Sequence, residues 1–341
     1  MNRLKLLTGS FFLAQTLMAQ SVQVDSVTAP SSFRGMAVVS DAEIWISGSK
    51  GYIGHSIDSG KTYTFHQIPK YENAEIRDIE FLNDGALVAM SSTQPAAILR
   101  STDKGATWKE VFRRDTSAYF LDAIDFSGKQ GTCLGDPING HFLILHTSNY
   151  GKTWTETYTN IATDSLAAFA ASGSTLQYLS TNEIVFGTGG KEALLFYSKD
   201  AGKTWETTEM LMNSGKESAG IFSVAVIDSK NIVCAGGDYL DPTNTDYNYL
   251  LVYIIEGVWD YPIPVSEINK ESSGYYSCID VITNNNITTF FACGTGGVDV
   301  WRSTNFKIKV LSMSGFNVLQ ISPSGKYVFL AGNKIVGKMD I

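Results

Sequence analysis

Short runs in which apolar and polar residues alternate recur along most of the chain, each ending in small residues. The endings are Ile46-Ser47-Gly48, Ala89-Met90-Ser91, Cys133-Leu134-Gly135, Val185-Phe186-Gly187, Cys234-Ala235-Gly236, Ala292-Cys293-Gly294 and Leu330-Ala331-Gly332. A second alternating run precedes each of them, at residues 34–39, 77–81, 121–126, 175–179, 222–227, 277–282 and 317–321. A period of two with short turns predicts half-buried antiparallel strands. In the first unit, strands are expected at 34–39, 43–47, 52–56 and 62–67, called A to D from the inside outward. Residues 159–174 do not fit the pattern and are expected to carry a short helix.

Between the third and fourth runs of the early units lies one repeated turn, S-x-D-x-G-x-T-W, at residues 56–63, 101–108, 147–154 and 198–205. Its acid or amide falls at Asp58, Asp103, Asn149 and Asp200, in steps of 45, 46 and 51 residues. That period marks one supersecondary unit copied in series. Seven four-stranded units predict an all-β, seven-bladed β-propeller. The last unit has its A and B strands and a C strand near 334–339, and then the chain ends. Its missing D strand is expected from residues 21–27, which closes the ring and removes exposed edges.

The turn has its own chemistry. The Asp or Asn side chain accepts backbone N–H bonds across the hairpin. Gly60, Gly105, Gly151 and Gly202 permit a left-handed backbone, and Trp108, Trp154 and Trp205 are expected to pack into the blade. Identical residues in every repeat read as scaffold and not as catalytic acids. The Gly-Lys-Thr triplets at 60–62, 151–153 and 202–204 lack the upstream glycine spacing of a phosphate loop.

Composition adds limits. Of 341 residues, 44% are hydrophobic and 18% charged, with 31 Gly and 8 Pro, which suits tight turns and strands. The basic start Asn2-Arg3-Leu4-Lys5, followed by an apolar stretch to Ala19, predicts a signal peptide over 1–19 and one propeller domain over 20–341. Export to the periplasm or the extracellular space follows. Loss of Arg3 and Lys5 with the signal takes the formal charge from −8 to −10. Such an acidic chain is a poor partner for nucleic acid or anionic lipid. It is expected not to insert into a membrane and to act as a monomer.

The four cysteines form no CxxC pair, and the four histidines form no HxH or HExxH pattern, so no metal or cofactor is expected. Cys278 and Cys293 are expected opposite each other in unit six, as a disulfide or as two small apolar residues. Asp238, Asp241, Asn244 and Asp246 crowd one loop without the order of a calcium loop. A solvated acidic loop is expected there, with calcium binding as the alternative.

In a propeller the D–A and B–C loops meet on one face around the channel. Arg34, Arg77, Asp122 and Tyr276 at A-strand starts, and Lys50, Asp136, Lys191 and Asp238 at B-strand ends, are therefore expected to converge there. They form either a recognition surface or internal ion pairs of Arg34 and Arg77 with Asp78, Asp122 or Asp136.

The repeated turn resembles the Asp-box of bacterial neuraminidase repeats. The resemblance implies that the turns lie on the face opposite the ligand. A sialidase would need three arginines, a Tyr–Glu pair and an Asp acid. Arg34 and Arg77 with Arg113 or Arg114 are the candidates, since Arg100 and Arg302 precede Asp-box turns. The chain is also similar to YCF48-type proteins, the propellers named for the photosystem II assembly factor. The residues that carry this are Phe33-Arg34-Gly35, Ile76-Arg77-Asp78, Gly135-Asp136-Pro137, Phe169-Ala170-Ala171-Ser172-Gly173, Gly187-Thr188-Gly189-Gly190 and Gly236-Gly237-Asp238-Tyr239. That resemblance implies a non-enzymatic module binding an envelope or extracellular protein or peptide through an arginine-bearing face. The alternative is a glycan-binding or glycan-cleaving propeller. No dinucleotide fingerprint is present.

Overall fold

The structure is a computed structural model that describes residues 23–26, 31–92, 94–163, 165–255, 258–260 and 272–341. The expected signal peptide, 1–19, lies outside the described residues. Seven antiparallel sheets are formed, six of four strands and one of six. The first blade runs through Phe33–Val38, Ile44–Gly48, Tyr52–Ser56 and Thr64–Gln67, each strand paired with the next. The last blade is completed by Gln23–Ser26, which pairs antiparallel with Ile335–Asp340. The ring therefore closes as the alternation predicts, with one strand from the N-terminal side.

Residues 159–174 depart from expectation. The described part contains no helix but the two-residue strand Leu166–Ala167, paired with Gly189–Gly190. Gly189–Gly190 pairs in turn with the lengthened A strand of blade five, Lys216–Asp228. These two pieces make the six-stranded sheet. Close backbone approach requires the glycines: a Cβ on Gly189 would sit 2.3 Å from the Ala219 carbonyl oxygen. The segment from Phe169 to Ser174 turns inward and plugs the channel, as its contacts below show.

All four Asp-box turns join C and D strands. In the first, Thr62 donates its backbone N–H to Asp58 Oδ1 at 2.9 Å and its hydroxyl to Oδ2 at 2.6 Å, while Ser56 Oγ accepts the Gly60 N–H. Asp103 and Asp200 repeat this pattern. At Asn149 one bond reverses, and the amide donates to Thr153 Oγ1 at 2.9 Å. The tryptophan Nε1 of the later three turns donates to the glycine carbonyl three residues back. Gly202 has φ +82°, and a Cβ there would lie 2.4 Å from His146 of the preceding blade, so the turn also seals an interblade seam.

A second fastener lies at the channel. Each A strand turns one edge toward the axis; among the described residues that edge is unpaired except where Gly189–Gly190 joins the A strand of blade five. Side-chain acceptors from the neighbouring blade take its N–H groups. Asp78 accepts from Ile124 at 2.9 Å, Asp125 from Tyr178, Ser223 from Ile279, Asp280 from Ile321 and Gln320 from Val38. Each of the three aspartates also accepts the N–H of the next residue on its own strand. Between blades four and five the Ser174 carbonyl serves instead, accepting from Val224.

These acceptors bring acids together. Burial pushes Asp280 up to about 6 and raises Asp78, Glu80 and Asp125, with the neighbouring carboxyls adding to the rise at Asp78 and Glu80. On the outer turns the sign reverses. Hydrogen bonds from Thr62 and Thr107 hold Asp58 and Asp103 down to about 2.

Two outcomes follow from this packing. Trp205 is buried, with its ring edge-on to Phe186 at 4.9 Å, whereas Trp108 is partly exposed. Trp205→Ala should cost about 3–5 kcal/mol in denaturant titration, and Trp108→Ala less; equal costs would contradict this packing. The raised channel acids bind more protons when folded than when unfolded. The stability they contribute is therefore full below about pH 4, their ordinary range, and is lost as pH rises through 6 and above. The Tm should fall between pH 5 and pH 8, and Glu80→Gln should flatten that fall; a Tm rising across the window would contradict it.

Candidate functional site

The A strands of blades one, two, three and five each contain a register shift at the same place: between Phe33 and Gly35, Ile76 and Asp78, Leu121 and Ala123, and Ile221 and Ser223. The skipped residues are Arg34, Arg77, Asp122 and Phe222. A bulge inserts one residue and re-aims its side chain. Here Arg34, Arg77 and Phe222 turn into the channel mouth.

They line a cavity of about 400 Å³ together with Phe120, Asp136, Phe169, Tyr239 and Tyr275. Phe169 stacks on Phe222 with centroids 3.8 Å apart, and Tyr275 meets Phe222 edge-on at 4.8 Å. Arg77 lies over Phe120 at 6.0 Å, at the outer limit of a cation–π contact. Tyr239 is 49% exposed and its neighbour Leu240 73%, so the rim is apolar.

The two guanidinium groups are held by the plug. Arg34 Nη1 donates to the Ala171 carbonyl at 3.4 Å, and Arg77 Nη1 to the Ala170 carbonyl at 3.1 Å. Ser172 fixes the plug beneath them by donating to the Ser277 carbonyl at 2.8 Å. Among the described residues Arg34 forms no ion pair. Arg77 Nε is 3.8 Å from Glu75, near enough for attraction but not for a hydrogen bond, and Nε has no acceptor. Burial and the nearby Arg34 charge both lower the Arg77 pKa. Asp122 lies behind this wall, 0% exposed, with neither oxygen hydrogen-bonded. Burial raises its pKa well above the carboxylate range, Asp136 adds to the rise, and Arg77 opposes it. Asp136 accepts the Ala168 N–H at 3.2 Å and is pushed up to about 6 by burial. The internal pairs considered for Arg34 and Arg77 with Asp78, Asp122 or Asp136 do not form as salt bridges. Asp78 is taken by backbone N–H groups.

Other expected members of the face lie elsewhere. Tyr276 is fully buried and donates its hydroxyl to Asp299 at 2.6 Å, inside blade six beside Tyr249 and Trp301. Its neighbour Tyr275, in the segment just before the strand Cys278–Asn284, lines the cavity instead. Asp238 is buried and paired with Lys216 at 2.8 Å. Lys50 and Lys191 are exposed and do not line the cavity. Arg113 binds Glu110 and Asp115, and Arg114 binds Glu156, so neither joins Arg34 and Arg77. In the loop from Asp238 to Asn248, Asn244 Oδ1 accepts the Asp246 N–H, and the Asp241 N–H goes to the Asp238 carbonyl. Among the described residues no group of three His, Cys, Asp or Glu is arranged to hold a metal ion. Cys278 and Cys293 are register partners, and all four cysteines are buried free thiols.

The aromatic wall was missed in the sequence reading. Its signal was there: Phe222 opens its A strand at the place that Arg34 and Arg77 occupy in theirs.

The family model for the BNR/Asp-box repeat matches residues 196–207, the fourth turn. No curated protein matches the chain in sequence. Among solved structures, YCF48 bound to a D1 peptide superposes with a TM-score of 0.62 at 12% identity, over 96% of this chain and 100% of that one. YCF48 from Cyanidioschyzon merolae gives 0.59 at 13%, over 93% and 98%. The WD40 repeats of RRP9 give 0.64 at 13%, over 95% and 99%. At such identities the likeness is one of fold, which WD40 and Asp-box rings share. The fourth turn matches the Asp-box model, and the seven-bladed ring is similar in fold to YCF48 and to the WD40 ring alike.

Proposed function

We propose that the chain is an exported, monomeric, non-enzymatic propeller that binds a protein or peptide through the mouth of its channel. Its ligand carries an anionic group flanked by an apolar or aromatic side chain. The observation behind this reading is Arg34, which faces the cavity beside Arg77 and the Phe169–Phe222 stack and has no ion-pair partner among the described residues. A carboxylate entering there meets two guanidinium groups already oriented by backbone carbonyls, and charge-assisted bonds of this kind are the strong ones. The apolar rim at Tyr239 and Leu240 offers area for the flanking side chain. One structure of similar fold holds a peptide, which supports this ligand class. The net charge of −8 argues against nucleic acid. Glycosidic cleavage asks for two carboxyl groups flanking the bond; among the described residues Asp136 is the one carboxylate on the cavity wall.

Peptide display against the folded protein should enrich sequences with an acidic residue next to an aromatic or aliphatic one. The Arg34→Ala/Arg77→Ala pair should weaken the selected peptides by roughly 10-fold or more, the loss expected for charged hydrogen bonds worth about 1.5–3 kcal/mol. Selection of neutral or basic peptides would overturn the reading. So would glycan-array hits abolished by Arg77→Ala with no peptide bound.

A further inference from the structure

Beneath the plug the channel opens into a second cavity of about 180 Å³, lined by Asp78, Glu80, Ser172, Ser174, Gln177 and Cys278 among others. At roughly 30 Å³ per water it has room for a few small polar molecules. It is polar, and one wall carries a thiol. Cys278 stands directly opposite Cys293 in the pairing of Cys278–Asn284 with Ile287–Gly294. Both side chains join the same interblade cluster, with Met36, Val298 and Leu319. Directly opposed residues on one face have Cβ atoms about 4.5–5.5 Å apart, so a small inward movement reaches the 3.5–4.5 Å of a disulfide.

We propose that Cys278 and Cys293 form a peroxide-reactive dithiol site, with Cys278 as the attacking thiol and Cys293 as the resolving one.

The two sulfurs differ as those roles require. Cys278 lines the cavity, with Sγ 3.4 Å from the Leu319 carbonyl and 3.7 Å from Ser174 Oγ. Hydrogen bonding from the Cys293 thiol, with smaller help from Ser174 and Ser172, lowers its pKa against the opposing effect of burial. Cys293 lies behind it, fully buried and off the cavity wall, and burial raises its pKa. The thiolate is the nucleophile, so attack begins at Cys278. Its sulfur bonds to one peroxide oxygen, the O–O bond breaks, and the departing hydroxide takes up a proton to become water. The product is a sulfenic acid on Cys278. The Cys293 sulfur then bonds to the Cys278 sulfur, the S–O bond breaks, and the leaving hydroxide takes the Cys293 proton. Two thiols and one hydrogen peroxide give one disulfide and two waters. Cys133 and Cys234 are internal controls: both are fully buried, line no part of this cavity and have thiols pushed up by burial.

The test uses the folded, fully reduced protein, whose four thiols are free. It is treated with hydrogen peroxide, quenched, alkylated under denaturing conditions and mapped by mass spectrometry. The expected result is loss of two thiols and a Cys278–Cys293 linked peptide, with Cys133 and Cys234 still alkylated. In Cys293→Ser, a sulfenic-acid trap such as dimedone should label Cys278. In Cys278→Ser, Cys293 should stay a thiol. Four free thiols after treatment, or oxidation of Cys133 or Cys234 as fast as the pair, would overturn the proposal. The mapping on the unmutated chain stands even if a variant fails to fold.

Discussion

The ring depends on satisfying the inner edge of each A strand. Blades radiate from the axis, so neighbouring A strands diverge and cannot pair as a sheet. Their inward N–H groups are nevertheless shut away from bulk water, and each one left unpaired costs about 1–3 kcal/mol. Asp78, Asp125, Ser223, Asp280 and Gln320 meet this demand one interface at a time. Between the first two blades the strands come closer instead: a Cβ on Gly35 would lie 2.7 Å from the Asp78 Cα. The solution crowds carboxyl groups into a narrow channel, where burial favours their neutral form. It also lines the lower channel, around its 180 Å³ cavity, with side chains already engaged. Recognition is left to the mouth, where bulges turn Arg34, Arg77 and Phe222 out of this pattern.

Two kinds of information in the sequence explain what was legible and what was not. The Asp boxes act within eight residues, so residue types and spacing alone disclosed the turns, their period and the ring. The closing strand, Gln23–Ser26, was legible because the last unit lacked one. Arg34 and Arg77 were placed at the mouth from their position at strand starts. The failures sit where one residue of register decides the outcome. Tyr276 and Tyr275 are neighbours in the segment before the strand Cys278–Asn284, and one points inward while the other lines the cavity. Asp238 looks free in sequence, yet its partner Lys216 stands 22 residues earlier on a strand longer than its pattern suggested. Paired acids in Ile76–Phe81 (Asp78, Glu80) and Leu121–Ser127 (Asp122, Asp125) were a readable sign of the channel seam, since strands with a buried face rarely carry them without a partner.

The segment from Phe169 to Ser174 ties these parts together. It lacks the strand pattern because it works as a plug, and its polar groups are spent on contacts across the ring. Ala170 and Ala171 present carbonyls to the two arginines, and Phe169 supplies one ring of the stack. Ser172 holds to blade six, and Ser174 reaches both Ser223 and the Cys278 sulfur. Gly173, at φ +79°, rests on the Asp78 carboxyl, where a Cβ would come within 2.4 Å. The plug thus sets the floor of the upper cavity and the roof of the lower one. A guanidinium fixed by backbone carbonyls loses little further freedom when an anion arrives, so more of the interaction appears as affinity. The same contacts make the mouth sensitive to the state of the seam. A change at Asp78 or Cys278 acts on Gly173 or Ser174, two to four positions from the carbonyls that aim Arg34 and Arg77.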